Sequence, residues 1–201
     1  MCPAVPAGEL TVGFLQELKR KSVHLSSISI PVLYNWIPSE TFSKWLVLGA
    51  TSIFLGTDLL KLRNRRFYRL FMSVLGRLLR VHETRELVGS TYVMLAATAT
   101  IFCFSKPVAM AAMGFLVLGD TAAALFGKTY GRLRYLGKSV EGSLACFLAC
   151  MVVAALVPGL SLEVGLAGAA VATIAELVPV PVDDNFRIPF ASATVMELMI
   201  L

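Results

Sequence analysis

An all-α, polytopic membrane protein is predicted by three observations on these 201 residues. The chain is 57% hydrophobic and only 15% charged, with mean hydropathy +0.75; a soluble domain is usually about 45–50% apolar and about 25% charged. The excess lies in long blocks, as it does when lipid is the apolar solvent. Finally, Lys and Arg crowd between alternate blocks, the pattern that orients membrane helices.

Seven apolar segments follow in order, over 22–38, 43–60, 87–105, 107–126, 143–160, 163–182 and 188–201. Several fall short of the roughly 20 residues of a perpendicular crossing, so the last is expected either to end at the far surface or to dip in. The first is no cleavable signal: after Lys19-Arg20-Lys21 it carries His24, Ser26, Ser27 and Pro31, and further spans follow. Between the second and third segments, residues 61–86 set Phe67, Leu70, Phe71, Val74, Leu78 and Val81 at helical spacing against Arg63, Arg66, Arg69, Arg77 and Arg80. This reads as a basic amphipathic helix on anionic lipid headgroups, the alternative being an extension of the second span. Cys2, Cys103, Cys146 and Cys150 lack metal-site spacing and read as packing residues. The whole chain, 1–201, is read as one membrane-embedded domain.

Alternating seven spans puts residues 1–21, 61–86, 127–142 and 183–187 on one side. That side carries 16 of the 18 Lys and Arg, all but Lys44 and Lys106. By the positive-inside rule it is cytoplasmic, with the N-terminus inside and the C-terminus outside. The basic residues are thus read as facing headgroups and phosphate, and no nucleic-acid partner is expected. Oligomeric state is not legible.

On this map the polar residues converge. Asp58 closes the second span on the inner side, and Asp120 lies near the inner end of the fourth. Glu176 sits in the inner half of the sixth, before Asp183-Asp184-Asn185. Glu86 and Ser90 open the third, Glu141 the fifth and His24 the first. Carboxylates in helices at bilayer depth are costly and mark a functional site or an internal pair.

The richest stretch is Gly119 to Gly142, GDTAAALFGKTYGRLRYLGKSVEG. Asp120 opens it, a loop over 127–142 rich in Gly, Lys and Arg follows, and Lys138-Ser139-Val140-Glu141-Gly142 closes it. Glycines free a backbone to wrap an anion, cations neutralise it, and two carboxylates suit a divalent metal. Those are the parts of a nucleoside triphosphate site, and at a membrane surface they suggest a lipid substrate. A Walker P-loop is excluded: five residues separate Gly131 from Gly137, and an apolar helix precedes them instead of a strand. For Asp120 and Glu141 the competing reading is a structural ion pair, and for Asp183-Asp184-Asn185 a polar turn that caps the last helix.

With these motifs in view the chain resembles the CTP-dependent lipid kinases, which group dolichol kinase, yeast-type diacylglycerol kinase and plant phytol kinases. The resemblance rests on Glu17-Leu18-Lys19-Arg20-Lys21 with His24, and on Gly89-Ser90-Thr91-Tyr92. It continues through Gly119-Asp120-Thr121-Ala122-Ala123 with Gly127-Lys128, Gly137-Lys138-Ser139-Val140-Glu141-Gly142, and Glu176 leading to Asp184-Asn185 and Ile188-Pro189. At this length the chain looks like a minimal catalytic core. The resemblance implies transfer of the CTP γ-phosphoryl group to a membrane lipid alcohol, giving CDP and a lipid phosphate. It implies Lys128, Arg132 and Lys138 on the phosphates, with Ser139 and the amides near Gly119, Gly127, Gly131, Gly137 and Gly142 orienting them. Asp120 and Glu141 are the implied magnesium ligands, with Asp184 and Asn185 completing the site. Glu176 and His24 are both placed to accept the alcohol proton, and the residues do not choose between them. Arg20, Lys21, Asp58, Ser90, Thr91 and Asp183 are candidates for further polar contacts.

Two other readings stay open. A phosphatidate cytidylyltransferase would use the same nucleotide, metal and membrane face but release pyrophosphate. A transporter or channel would use the carboxylates as an ion path, with polar groups spread through the membrane depth.

Overall fold

The computed structural model describes residues 20–76, 79 and 82–201. Glu17, Leu18 and Lys19 of the first motif, Cys2, and Arg77, Leu78, Arg80 and Val81 of the amphipathic pattern lie outside these residues. Each of the seven apolar segments overlaps helix, although residues 27–28, 37–38 and 178–182 within them are not helical. Residues 20–26 are helical and lead into α1 (Ser29–Trp36); α2 is Glu40–Arg63, α3 Arg65–Leu75 and α4 Gly89–Cys103. Then α5 (Lys106–Gly114), a π turn over Phe115–Gly119 and α6 (Asp120–Tyr130) run on as one rod of 25 residues. After it come α7 (Val140–Leu156), α8 (Leu162–Leu177) and α9 (Asp184–Ile200).

Burial sorts these helices. The Lys106–Tyr130 rod is 72% buried over its most apolar window, whereas α2 is 22% buried. The rod is therefore the axis of the bundle and α2 lies at its edge. Around the axis α6 packs on α7, α7 on α8, α8 on α9, and α9 on α4 and α5, while α2 packs on α4. Outward faces are apolar too: Leu144, Leu148, Val152 and Leu156 make an exposed stripe along α7, and Trp36, Trp45 and Ile53 stand exposed on α1 and α2. A water-solvated monomer rarely shows such continuous apolar surface, and lipid solvates it readily. Among the described residues α2 and the rod are long and apolar enough to cross a membrane, while α4 and α7 are apolar but have only 15 and 17 residues.

The amphipathic segment is a separate helix. Asn64 adopts an extended conformation (φ −116°, ψ 112°), which ends α2 after Arg63. Its Oδ1 then accepts from the Arg66 and Phe67 amides at 2.9 and 3.1 Å, capping α3. Phe67 and Phe71 turn toward the protein, whereas Leu70 and Val74 are exposed.

Two differences from the sequence expectation concern residues 127–142. The first four are the last turn of α6 and not loop. Beyond them the chain is not purely helical: β1 (Arg134–Tyr135) and β2 (Lys138–Ser139) form a small antiparallel hairpin. Its two turn residues, Leu136 (φ 51°) and Gly137 (φ 85°), both lie in the left-handed region, the geometry that matches the twist of paired strands.

Candidate active site

A cavity of about 430 Å³ opens between the helical residues 20–26, α2, α3, α4 and the start of α6. One end is polar, with Arg20, Lys21, His24, Ser90, Asp120 and Asn185; Phe54, Phe71, Leu75 and Val93 form the other wall. Eight residues singled out from sequence thus meet in one chamber, since Asp58 and Thr91 also line it.

At the polar end the Lys21 ammonium donates to Asp120 Oδ2 and, at 3.2 Å, to the Asp120 carbonyl. Lys21 is only 3% exposed, so the Asp120 carboxylate is what makes burying that charge tolerable. His24 Nε2 lies 3.5 Å from both Asp120 Oδ2 and the Leu116 carbonyl. The π turn immediately before Asp120 inserts an extra residue into the rod, and such turns frequently occur at functional sites.

Asp58 has a different task. Its Oδ2 accepts from the Val88 amide (2.8 Å) and the Thr91 hydroxyl (2.7 Å), while Oδ1 is 3.1 Å from Lys61 Nζ. Lys61 in turn donates to the carbonyls of Glu83 and Glu86 at 2.9 and 2.7 Å. Glu83 Oε1 accepts from the Gly89 amide at 2.8 Å. This network is buried, with Asp58 and Lys61 1% and 2% exposed. It fixes the turn before α4, and so holds Ser90 and Thr91 at the cavity. Lys61 and Glu83 were not singled out from sequence; the three-residue spacing of Asp58 and Lys61 on one helix was the available signal.

A second cluster lies at the hairpin. The Lys138 ammonium donates to Glu176, to its carbonyl and at 2.9 Å to Oε1, and sits 3.2 Å from Asp184 Oδ2. Burial opposes its charge, but the Glu176 and Asp184 carboxylates outweigh that and raise its pKa above the ordinary lysine value. Arg187, also missed from sequence, pairs through Nη2 with Asp184 Oδ1. Glu176 Oε2 and Arg187 Nε and Nη1 are buried without a hydrogen-bond partner among the described residues. Glu141 Oε1 accepts from the Arg132 and Leu133 amides at 3.0 and 3.2 Å, tying the hairpin to the start of α7. These backbone bonds, its own amide foremost, hold its pKa below the usual carboxylate value. Asp183 caps α9 by accepting from the Asn185 amide at 2.9 Å, as the capping reading has it. Lys128 and Arg132 are exposed.

The glycines are set differently from an anion cradle. A side chain at Gly127 or Gly142 would meet Ser139 Oγ at 2.7 or 2.8 Å, and one at Gly131 would meet the Gly127 carbonyl and, at 2.7 Å, Ser139 Cβ. Their smallness lets α6 and α7 close around Ser139, whose Oγ is used in capping α7 through the Gly142 amide at 3.1 Å. Gly119 likewise faces Cys150 Sγ, 2.8 Å from where a Cβ would stand.

The four expected magnesium ligands do not form one set. Asp120 is engaged by Lys21, Glu141 by two backbone amides through Oε1 alone, its Oε2 being buried without a partner among the described residues, and Asn185 Nδ2 faces Gly89 in the cavity. Among the described residues no three His, Cys, Asp or Glu side chains gather as a metal site. Glu176 and Asp184 both approach the Lys138 ammonium, and Glu176 Oε2, like Glu141 Oε2, is buried without a partner among the described residues. Magnesium takes one or two carboxylates and completes its shell with phosphate and water.

No family model and no solved structure matches the chain. Curated relatives do. The CTP-dependent diacylglycerol kinase 1 of Saccharomyces cerevisiae is 30% identical across 92% of this chain and 73% of its own length. That of Eremothecium gossypii is 30% identical across 92% and 67%. The chain belongs to the CTP-dependent diacylglycerol kinase family. An uncharacterized Rickettsia prowazekii protein, 32% identical across 73% of each chain, extends the likeness beyond yeasts.

Proposed function

We propose that the protein transfers the γ-phosphoryl group of CTP to the hydroxyl of a membrane lipid alcohol, releasing CDP and a lipid phosphate. The observation that carries this reading is the chamber whose one wall is Phe54, Phe71, Leu75 and Val93 and whose other end is His24, Asp120 and Lys21. An acyl or prenyl body suits the first and a reacting hydroxyl the second. The alcohol oxygen attacks the γ-phosphorus, the bond to the β–γ bridging oxygen breaks, and His24 accepts the hydroxyl proton. Asp120 orients His24 and holds Lys21 at the same point. His24 is favoured over Glu176 because it lines the chamber, whereas Glu176 is bound to Lys138. Lys138, Lys128 and Arg132 hold the nucleotide phosphates, and positioning with charge neutralisation supplies most of the rate. Magnesium, held at Glu176 and Asp184, would further neutralise phosphate charge.

The helices embed as seven membrane segments, the short ones only partly crossing, with the N-terminus and hairpin cytoplasmic. The 16-to-2 division of Lys and Arg supports this orientation, and Arg63, Arg65, Arg66 and Arg69 beside α3 suit anionic headgroups.

The test is purified protein with γ-labelled CTP and a panel of diacylglycerol, dolichol, polyprenol and phytol. Label in a lipid with release of CDP is expected, and CTP should far outperform ATP. Pyrophosphate release would make the protein a cytidylyltransferase, and absence of CTP turnover would favour a transporter.

A further inference from the structure

The residue least explained so far is Arg187. It lies in the first turn of α9, where its Nη2 reaches Asp184, yet Nε and Nη1 are buried and meet no acceptor among the described residues. Buried N–H groups of a cation are almost always met, because leaving them unmet costs more than most contacts supply. Nearby, Glu176 is 6% exposed and its Oε2 is equally unmet. Asp184 connects the two: one oxygen is on Arg187 and the other 3.2 Å from Lys138, whose ammonium also holds Glu176 Oε1. Two cations therefore flank one carboxylate, in a cluster that holds both unmet donors and an unmet acceptor. An acidic ligand alone would satisfy Arg187 and repel Glu176. A phosphate carrying a divalent cation satisfies both.

We propose that Arg187 is a phosphate-binding residue: with Lys138 it receives a terminal phosphate whose counter-cation rests on Glu176 and Asp184. This deepens the kinase reading and rests on it for the identity of the nucleotide. Arg187 is rigid, permanently charged and a multiple donor, which suits a phosphate that must be held in one orientation while it transfers. Lys138 is the more exposed partner, its side chain 32% exposed against 13% for Arg187. In the resting protein Lys138 is paired with Glu176 and Asp184; on arrival of the phosphate it turns from them, freeing the carboxylates for the cation.

The shared chemistry is a phosphate monoanion or dianion, and its source is the nucleotide or the lipid phosphate product. Thermal unfolding of the full-length protein in detergent, with magnesium, separates them using CTP, inorganic pyrophosphate and phosphatidic acid as probes. Arg187→Met removes the unmet donors and keeps an apolar stem. Its ligand-free Tm is expected within a few degrees of the wild type, because Asp184 retains Lys138, while stabilisation by CTP and pyrophosphate disappears. The Kd for CTP should rise at least about tenfold, the size of one lost charge-assisted hydrogen bond. Arg187→Lys should restore part of it. A shift with phosphatidic acid alone, lost in Arg187→Met, would support the same site with the product as its ligand. A lowered ligand-free Tm with the full ligand shift retained would make Arg187 structural and overturn the proposal. A wild-type protein that transfers label from CTP with unchanged kinetics in Arg187→Met would overturn it while leaving the kinase reading standing. Pyrophosphate stabilisation lost in Arg187→Met without any phosphoryl transfer would do the reverse.

Discussion

Replacing Asp120 with Asn tests what that carboxylate does. In the structure it faces Lys21, only 3% exposed, and His24 at 3.5 Å. The amide keeps the shape and removes the charge, so a buried ammonium loses its counter-ion. Breaking one side of a buried pair costs about 3–5 kcal/mol. Asp120 retains 21% side-chain exposure and its carbonyl still accepts from Lys21, so the lower figure, about 3 kcal/mol, is expected. For a protein of this size that lowers Tm by about 6–12 °C. Transfer should fall by about 10²–10⁴ as His24 loses its orienting partner. The double variant Lys21→Met/Asp120→Asn removes both charges and should recover most of the Tm with little of the activity. The assay is thermal unfolding beside transfer of γ-label for the wild type, Asp120→Asn and the double variant. An unchanged Tm in Asp120→Asn, with activity rescued by excess magnesium, would refute the pairing and restore Asp120 as a metal ligand.

Three further outcomes are expected. Gly131→Ala drives a methyl into the Gly127 carbonyl and Ser139 Cβ, straining the end of α6 and its packing on the start of α7 at a cost of about 1–3 kcal/mol, and an unchanged Tm would contradict that packing. Glu141 has a folded pKa below its ordinary 4.5, so its hold on the hairpin is fully present above that value and lost as pH falls through the lower folded one. Hydrogen exchange at the Arg132 and Leu133 amides should accelerate over that acid window, and Glu141→Gln should remove the pH dependence; equal exchange in both proteins at all pH values would refute the tie. Impermeant thiol reagents added outside should label a cysteine at Ser161 and spare one at Thr129, and the reverse pattern would invert the topology.

Most of the helices were legible because lipid solvation imposes long apolar runs, although the run over 22–38 is broken by a turn at 27–28 and that over 107–126 passes through a π turn. The break at Asn64 was legible in principle, since Asn favours a cap and the arginine-phenylalanine pattern restarts after it. The hairpin was not: two-residue strands are too short to show alternation, and Leu136-Gly137 is not a strong turn pair. Gly127, Gly131 and Gly142 were read as freedom for a backbone around an anion, when close approach of two helices needs the same residue. Lys21, His24, Asp58 and Asp120 line one chamber, whereas Glu141, Glu176 and Asp184, placed on the same leaflet by the sequence, do not. The pairing of Lys21 with Asp120 was not legible, because the two are 99 residues apart and nothing local couples them. Arg187 was read as one more inner-side charge, and only its unmet donors in the folded chain distinguish it.

The most direct test of the lipid chamber is photocrosslinking with a diacylglycerol that carries a photoreactive acyl chain, followed by mapping of the labelled residues. Labelling is expected on the chamber wall at Phe54, Phe71, Leu75 or Val93, with competition by unlabelled diacylglycerol and loss when Val93 is replaced by Trp. Competable labelling confined to the apolar groove of about 170 Å³ near Leu33, Tyr34 and Val47, with the Val93 variant still transferring phosphate normally, would contradict it.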